Sequence, residues 1–366
     1  MKIVVIGPHF PDSFARNICV TLTSMGHDVM NLEGTRTLHF QSRLVRGFWT
    51  FAPKLFPSIE AKDAEQMIRA ARRAEPNLIL VTIGDLSPDI VEALRAGTKA
   101  PVVCWYTDPM ANWTRQYLLA ARWDAIFVKE PNAVRVLRDM LGQRAFYLPE
   151  AMNPMWHHPV EPTAQDHEKY NCDLLAQGTL HYYRARMLEP FVDYDLKVWG
   201  ANNPPWIHSK TKRCYTNTFV AQETKAKAFS CAKIALNIVS HLEFEGVNCS
   251  LFEYAGCGLF QIAEMKPSLA ALFKPEEEIV TYRDRQELKE KVDFYLAHPD
   301  LRKIISAQCA AKAQREHTYE VRLRHLLQVS LDPHYADEDK KVDKTNPLER
   351  LNNALVSPAC HFDSQP

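Results

Sequence analysis

The stretch KIALNIVSHLEFEGVNCSLFEYAGCGLFQIA, Lys233 to Ala263, decides the fold. KIALNIV (Lys233–Val239) is almost continuously apolar, as a strand buried on both faces requires. LFQIA (Leu259–Ala263) is a second run of this kind. Between them lies a loop, Ser240 to Gly246. Asn248 follows, a residue type that caps helix N-termini, and Val247-Asn248 opens a helix running to Tyr254. Gly256 or Gly258 ends it. Strand, helix and strand in that order make the unit of a parallel sheet. The connection also carries two carboxylates, Glu245 and Glu253, with seven residues between them. Glu245 lies in the loop and Glu253 in the helix, so they do not share a helix face.

The same alternation extends outward in both directions. Upstream, strands are expected at Lys2–Gly7, His27–Leu32, Asn77–Gly84, Pro101–Tyr106, Trp123–Val128 and Ala145–Pro149. Helices are expected at Ser13–Met25, Ile59–Ala74 and Pro88–Ala96. Thr35 to Ser58 is aromatic and basic without a clear period and reads as a long loop. After a proline-spotted stretch, strands return at Cys172–Gly178, Asp195–Gly200 and Glu278–Tyr282. Helices return at Tyr182–Phe191, Ala221–Cys231, Arg285–Ala297, Leu301–Arg315 and Tyr319–Val329. The expected architecture is two tandem doubly wound α/β domains. The first covers residues 1–152, residues 153–170 form a linker, the second covers 171–331, and 332–366 is a loose tail. Such sheets bind ligands at the carboxyl ends of their strands, and the expected site is a cleft between the domains.

Composition narrows the classes. At 366 residues the chain is long for one core and fits two domains. Lys+Arg and Asp+Glu are both 44, so no overall basic field calls for nucleic acid. No apolar run approaches the ~20 residues that span a bilayer, no secretory signal follows the first residues, and the expected location is the cytoplasm. Nine cysteines without a C-x-x-C pair indicate neither a zinc site nor a disulfide framework.

Four readings of Glu245 and Glu253 are open: surface charges, a hydrolase acid/base pair, metal ligands, or a clamp on a polar ligand. A glycosidase pair flanks its bond from opposite sides, ~5–9.5 Å apart, and two residues of one strand–loop–helix unit rarely do so. A metal wants a tighter cluster with further ligands. A diphosphate at the helix N-terminus, with the carboxylates on sugar hydroxyls, fits best, because orphan N–H groups there attract phosphate.

E-G-V-N-C-S-L-F-E-Y-A-G-C-G resembles the E-x7-E signature of retaining GT-B glycosyltransferases, and most closely that of the CgeB-like (spore-maturation) glycosyltransferases. Cys104–Pro109 (CWYTDP) is similar to a strand-end segment of that family. Cys172–Gly200, Glu278–His298 and the closing Glu316-His317-Thr318-Tyr319 also look like it. The resemblance implies two Rossmann-like domains in the GT-B arrangement, acceptor side first and donor side second. It implies a nucleotide sugar as co-substrate and neither a cofactor nor a metal. It places Glu253 on the ribose, Glu245 on the donor sugar, Gly178 and Arg184 by the pyrophosphate, and Asp108 facing the acceptor. Gly246, Val247 and Asn248 line the donor at the helix start, and His9 lines the cleft. Where the family commonly has an arginine two residues after the motif asparagine, this chain has Ser250.

Plainer readings stand beside these. Arg184 reads equally as a helix-surface charge, and Asp108 equally as a turn former. His157-His158 reads as linker rather than as ligands, and Asp193-Tyr194-Asp195, which has the D-x-D form of metal-dependent transferases, as the solvated start of a strand. Trp105 and Trp113 are core by default or acceptor platforms. A nucleotide-sugar epimerase and a non-catalytic sugar-binding module remain as alternatives to a transferase. The acceptor is left open.

Overall fold

The computed structural model describes residues 1–33, 57–110, 116–179, 181–200 and 209–335. Most of the expected loop at 35–58, Trp113 and the tail from 336 lie outside the described residues. The chain divides into two compact units. One comprises Met1–Val128, Ala133–Leu148 and the stretch from Leu323; the other comprises Lys129–Asn132 and Pro149–Arg322.

The first unit holds six parallel strands: β1 (Lys2–Ile6), β2 (Asp28–Leu32), β3 (Leu78–Val81), β4 (Val102–Tyr106), β5 (Ala125–Val128) and β6 (Ala145–Tyr147). Their order is β2-β1-β3-β4-β5-β6. β3 to β6 are buried along their whole length, which their continuous apolar runs require. The helix Phe14–Ser24 starts on Ser13, whose hydroxyl accepts the Arg16 N–H. Gly7 turns the chain out of β1; a Cβ there would lie 1.9 Å from Thr82 Oγ1, so the close approach of β1 to β3 demands glycine. Trp105 does not present a stacking face. It is fully buried, its ring meets Phe14 edge-on at 4.7 Å, and its Nε1 donates to the Leu148 carbonyl. Its place on β4 explains this, since every residue of that strand is covered.

The second unit holds β7 (Cys172–Gln177), β8 (Leu196–Trp199), β9 (Ala232–Asn237), β10 (Gln261–Glu264) and β11 (Val280–Tyr282), all parallel, in the order β11-β10-β9-β7-β8. The strand order reverses between β7 and β9, and a doubly wound sheet opens its ligand crevice at the carboxyl ends of such a pair. Within residues 153–170, Ala164–Tyr170 is a helix closed by a reciprocal box between Thr163 and Asp166. His157 is fully buried there, and its carbonyl would meet a Cβ at Gly256. Met152 and Thr318 bridge in parallel through Met152 N–H to His317 O and Tyr319 N–H to Met152 O, both 3.0 Å. Arg322, wholly buried, gathers the carbonyls of Pro149, Glu150 and Glu316 and His317 Nδ1. The Glu316–Tyr319 motif thus fastens the last helices to the start of this unit. Burial, reinforced by Arg322, holds the His317 pKa well below its ordinary value. Among the described residues no helix is long and apolar enough to cross a membrane.

Candidate functional site

Gly178 ends β7 with φ +96°, a left-handed conformation that glycine adopts without strain. This turn and the end of β9 are joined by one side chain. Arg184, in the helix Tyr182–Leu188, sends Nε and Nη2 to the Ile238 carbonyl at 3.2 and 2.9 Å, and Nη1 to the carbonyls of Gln177 and Thr179. All of these partners are neutral, and among the described residues no carboxylate stands within ion-pair distance of it. Burial lowers its pKa, but a guanidinium stays charged at any physiological pH. The crevice at the strand-order reversal therefore holds a fixed cation. His181 lies close enough that Arg184 and His241, after burial itself, lower its pKa.

The helix Cys249–Gly256 starts beside this crevice. Asn248 caps it through Oδ1, which accepts the Leu251 N–H at 3.2 Å, and Asn248 Nδ2 donates to Asn237 Oδ1 at 2.9 Å. The chain of amides continues through Gln261 to the Leu251 carbonyl. Asn248 is thus committed to fixing the helix on β9. Val247 is buried in the core, so only its backbone faces the loop.

Glu253 is 6% exposed and well paired. Its Oε1 takes Lys225 Nζ at 2.8 Å, with His157 Nε2 at 3.8 Å, and its Oε2 takes Gln177 Nε2 at 2.7 Å. Gln177 also donates to the Ser250 hydroxyl at 2.9 Å. Ser250, in the place of the family's arginine, brings no charge. A carboxylate has about four acceptor sites, so Glu253 can still receive a ligand hydroxyl.

The loop before the helix is held by the two residues after β5. Lys129 Nζ lies 3.1 Å from Glu243 Oε1 and 3.6 Å from Glu150 Oε2, all three buried or nearly so. Burial opposes the Lys129 charge, but Glu150 and Glu243 outweigh it and raise its pKa. Glu130 Oε2 accepts the N–H groups of both Glu245 and Gly246, each at 3.1 Å. Burial raises the Glu130 pKa against these two hydrogen bonds. Glu245 itself is half-buried, and its carbonyl takes the Ser268 N–H. Lys266 donates to the Glu243 carbonyl and pairs with Glu264.

In the second unit the structure brings Gly178, Arg184, Gly246, Asn248 and Glu253 to the carboxyl edge of one sheet, with Glu245 in the loop beside them. In the first unit His9 follows β1 and Asp108 follows β4, both at the carboxyl edge of that sheet; Asp108 is exposed and His9 Nδ1 is buried. Lys129, Glu130, Gln177 and Lys225 were not expected. Gln177 and the Lys129-Glu130 pair were findable, because Gln177 ends β7 and the pair follows directly on β5, each at a carboxyl edge. Lys225 sits in the helix Gln222–Ser230, which shows no marked polar or apolar face, and gave no signal.

Comparison with known proteins agrees with this layout. A glycosyl transferase-like family matches residues 184–328. Spore protein CgeB of Bacillus subtilis (strain 168) is 23% identical over 262 residues, covering 67% of this chain and 80% of that protein. Sucrose-phosphate synthase from Thermosynechococcus elongatus superposes with a TM-score of 0.64 at 15% identity, over 90% of this chain and 98% of its own. A glycosyltransferase from Rickettsia africae gives 0.62 at 11% identity, over 91% and 98%. Anabaena HepE, solved in complex with UDP-glucose, gives 0.62 at 10% identity, over 90% and 98%. At these identities the solved structures speak for the fold, which is GT-B, and the family match over residues 184–328 and the curated relative for a likeness to the CgeB-like glycosyltransferases.

Proposed function

We propose that the chain moves a sugar from a nucleoside-diphosphate donor to an acceptor hydroxyl, with retention and without a metal or other cofactor, and that the donor is a UDP-sugar. The observation that carries this reading is Arg184. A guanidinium clamped on three strand-end carbonyls, with no carboxylate of the described residues against it, suits a diphosphate at a strand-order reversal. The N-terminus of the helix Cys249–Gly256 adds donors and a partial positive charge. The leaving diphosphate gains charge as the glycosidic bond breaks, so cations fixed there stabilise the transition state more than the ground state. Glu253 takes the ribose hydroxyls and Glu245 the sugar; Gly178 and Gly246 let backbone approach the donor. His9 and Asp108 serve the acceptor end. That HepE was solved with UDP and with UDP-glucose supports uridine as the nucleotide.

The test is a panel of UDP-, ADP- and GDP-sugars, scored by thermal shift and by release of nucleoside diphosphate, with and without EDTA. Stabilisation by UDP and EDTA-resistant UDP release support the reading. A chain that no nucleotide stabilises and that cleaves no sugar nucleotide refutes it. Interconversion of two UDP-sugars without acceptor would make it an epimerase, and activity restored only by manganese or magnesium would hand the diphosphate to a metal.

A further inference from the structure

Glu130 is a buried carboxylate with an unusual set of partners. It follows β5 and counts with the second unit. It is 5% exposed. One oxygen, Oε2, accepts two successive backbone N–H groups, those of Glu245 and Gly246. Its other oxygen, Oε1, is buried without a hydrogen-bond partner. A Cβ on Gly246 would lie 2.8 Å from Oε1 and 2.6 Å from the Lys129 carbonyl, so the loop is pressed against this residue. Lys129, its neighbour, grips the same loop through Glu243. The loop Ser240–Gly246 follows β9 with no regular structure of its own, and a loop that carries a reacting-end residue needs such external support.

We propose that Glu130 is the positioning residue for Glu245: it fixes the backbone at Glu245 and Gly246 by chelating both amides, and so sets where the Glu245 carboxylate meets the donor sugar. This rests on the transferase reading above. Glu130 does not touch the donor; it acts through the loop. Its loss therefore separates turnover from nucleotide binding, because Arg184, Gly178 and Glu253 hang on other elements. A misplacement of about 1 Å at the reacting end is enough to cost ~100-fold in rate.

The experiment compares the full-length chain with Glu130→Ala and Glu130→Gln. Three readouts are taken: hydrogen exchange of the peptide covering residues 241–247, calorimetric binding of UDP, and cleavage of UDP-glucose or of whichever UDP-sugar the parent cleaves fastest. In Glu130→Ala, exchange at Glu245 and Gly246 is expected to rise at least tenfold, kcat to fall at least tenfold, and the UDP Kd to stay within twofold. Glu130→Gln keeps one carbonyl oxygen for both amides and is expected to recover most of the rate. Unchanged exchange in Glu130→Ala overturns the proposal whatever the activity, as does raised exchange with normal kcat. An equal loss of UDP binding and turnover, with exchange raised throughout the second unit, makes Glu130 a general stabiliser and also overturns it. A parent chain that binds no UDP and cleaves no sugar nucleotide overturns the transferase reading, while the exchange data alone decide whether Glu130 holds the loop.

Discussion

Lys225 Nζ lies 2.8 Å from Glu253 Oε1, and both side chains are 8% exposed. This is a buried ion pair in which each partner needs the other. Removing one strands a charge, which typically costs about 3–5 kcal/mol. Lys225→Met is expected to destabilise the protein on that scale, reduced by the hydrogen bond that Gln177 still gives Glu253. The double variant Lys225→Met/Glu253→Gln leaves no stranded charge and is expected to recover most of the loss. Denaturant unfolding of the four forms measures the coupling. Simple additivity of the two single losses would mean that the pair is not coupled.

The two motif glutamates are expected to fail differently. Glu253→Gln weakens a charged hydrogen bond worth ~1.5–3 kcal/mol and leaves Lys225 without its anion, so UDP affinity is expected to fall roughly ten- to hundred-fold. Glu245→Gln is expected to leave UDP binding within about twofold and to lower kcat. Calorimetry with UDP beside steady-state rates decides. If Glu245→Gln alone loses UDP, the roles are reversed; if neither variant changes anything, the carboxylates have no part in the site.

Gly246→Ala introduces a Cβ that meets backbone at 2.6 Å, a contact that only movement of the loop relieves. It is expected to lower turnover at least tenfold while the protein stays folded, since the core strands are untouched. A variant as active as the parent, assayed by UDP release, would show that the loop has room.

His317 gives a pH dependence. It is buried between Arg322 and the Leu272 carbonyl, and burial pulls its pKa well below 6.5. The unfolded chain therefore binds a proton in a range where the folded chain does not. The stability this represents is present above the unfolded value and is lost as pH falls from there toward the folded value. Melting temperature is expected to decline as pH drops below about 6.5, where an ordinary histidine titrates. His317→Gln, which can still accept from Arg322 and donate to Leu272, is expected to flatten that slope. An identical slope in the variant would assign the effect to other groups.

Much of this layout was legible in the sequence because its strands are buried on both faces and so read as short apolar runs. LILV at Leu78–Val81 and VVCWY at Val102–Tyr106 are buried at every position. The boundaries expected for β1, β4, β7 and β8 fall within one residue of those observed at each end. Ser13 and Asn248 signalled their helix starts, and both cap. The helix Ala164–Tyr170 was hidden by the prolines before it, although Thr163 and Asp166 carry a capping box. The carboxylates Glu245 and Glu253 were visible as a spacing, but their partners were not. Glu130 and Glu245 are 115 positions apart, and Gln177 and Glu253 are 76 apart. No local pattern encodes such pairs: the pairing of β7 with β9 brings Gln177 to Glu253, and Glu130 and Glu245 follow strands of different sheets. Trp105 reads as core by default or as an acceptor platform, and burial of the whole of β4 decides for the core.

The reversal of strand order between β7 and β9 has a consequence for how the second unit forms. Cys172 pairs with Ala232, so the two central strands meet only after β8 and its flanking helices have been made. No hairpin can nucleate this sheet, and the pairing of β7 with β9 closes a loop of about sixty residues, an entropic hurdle that slows such topologies. During synthesis, β7 and β8 leave the ribosome with an apolar edge awaiting a partner that has not yet been translated. The crevice that holds Arg184 does not exist until β9 docks, and the emerging chain must be kept from aggregating until then.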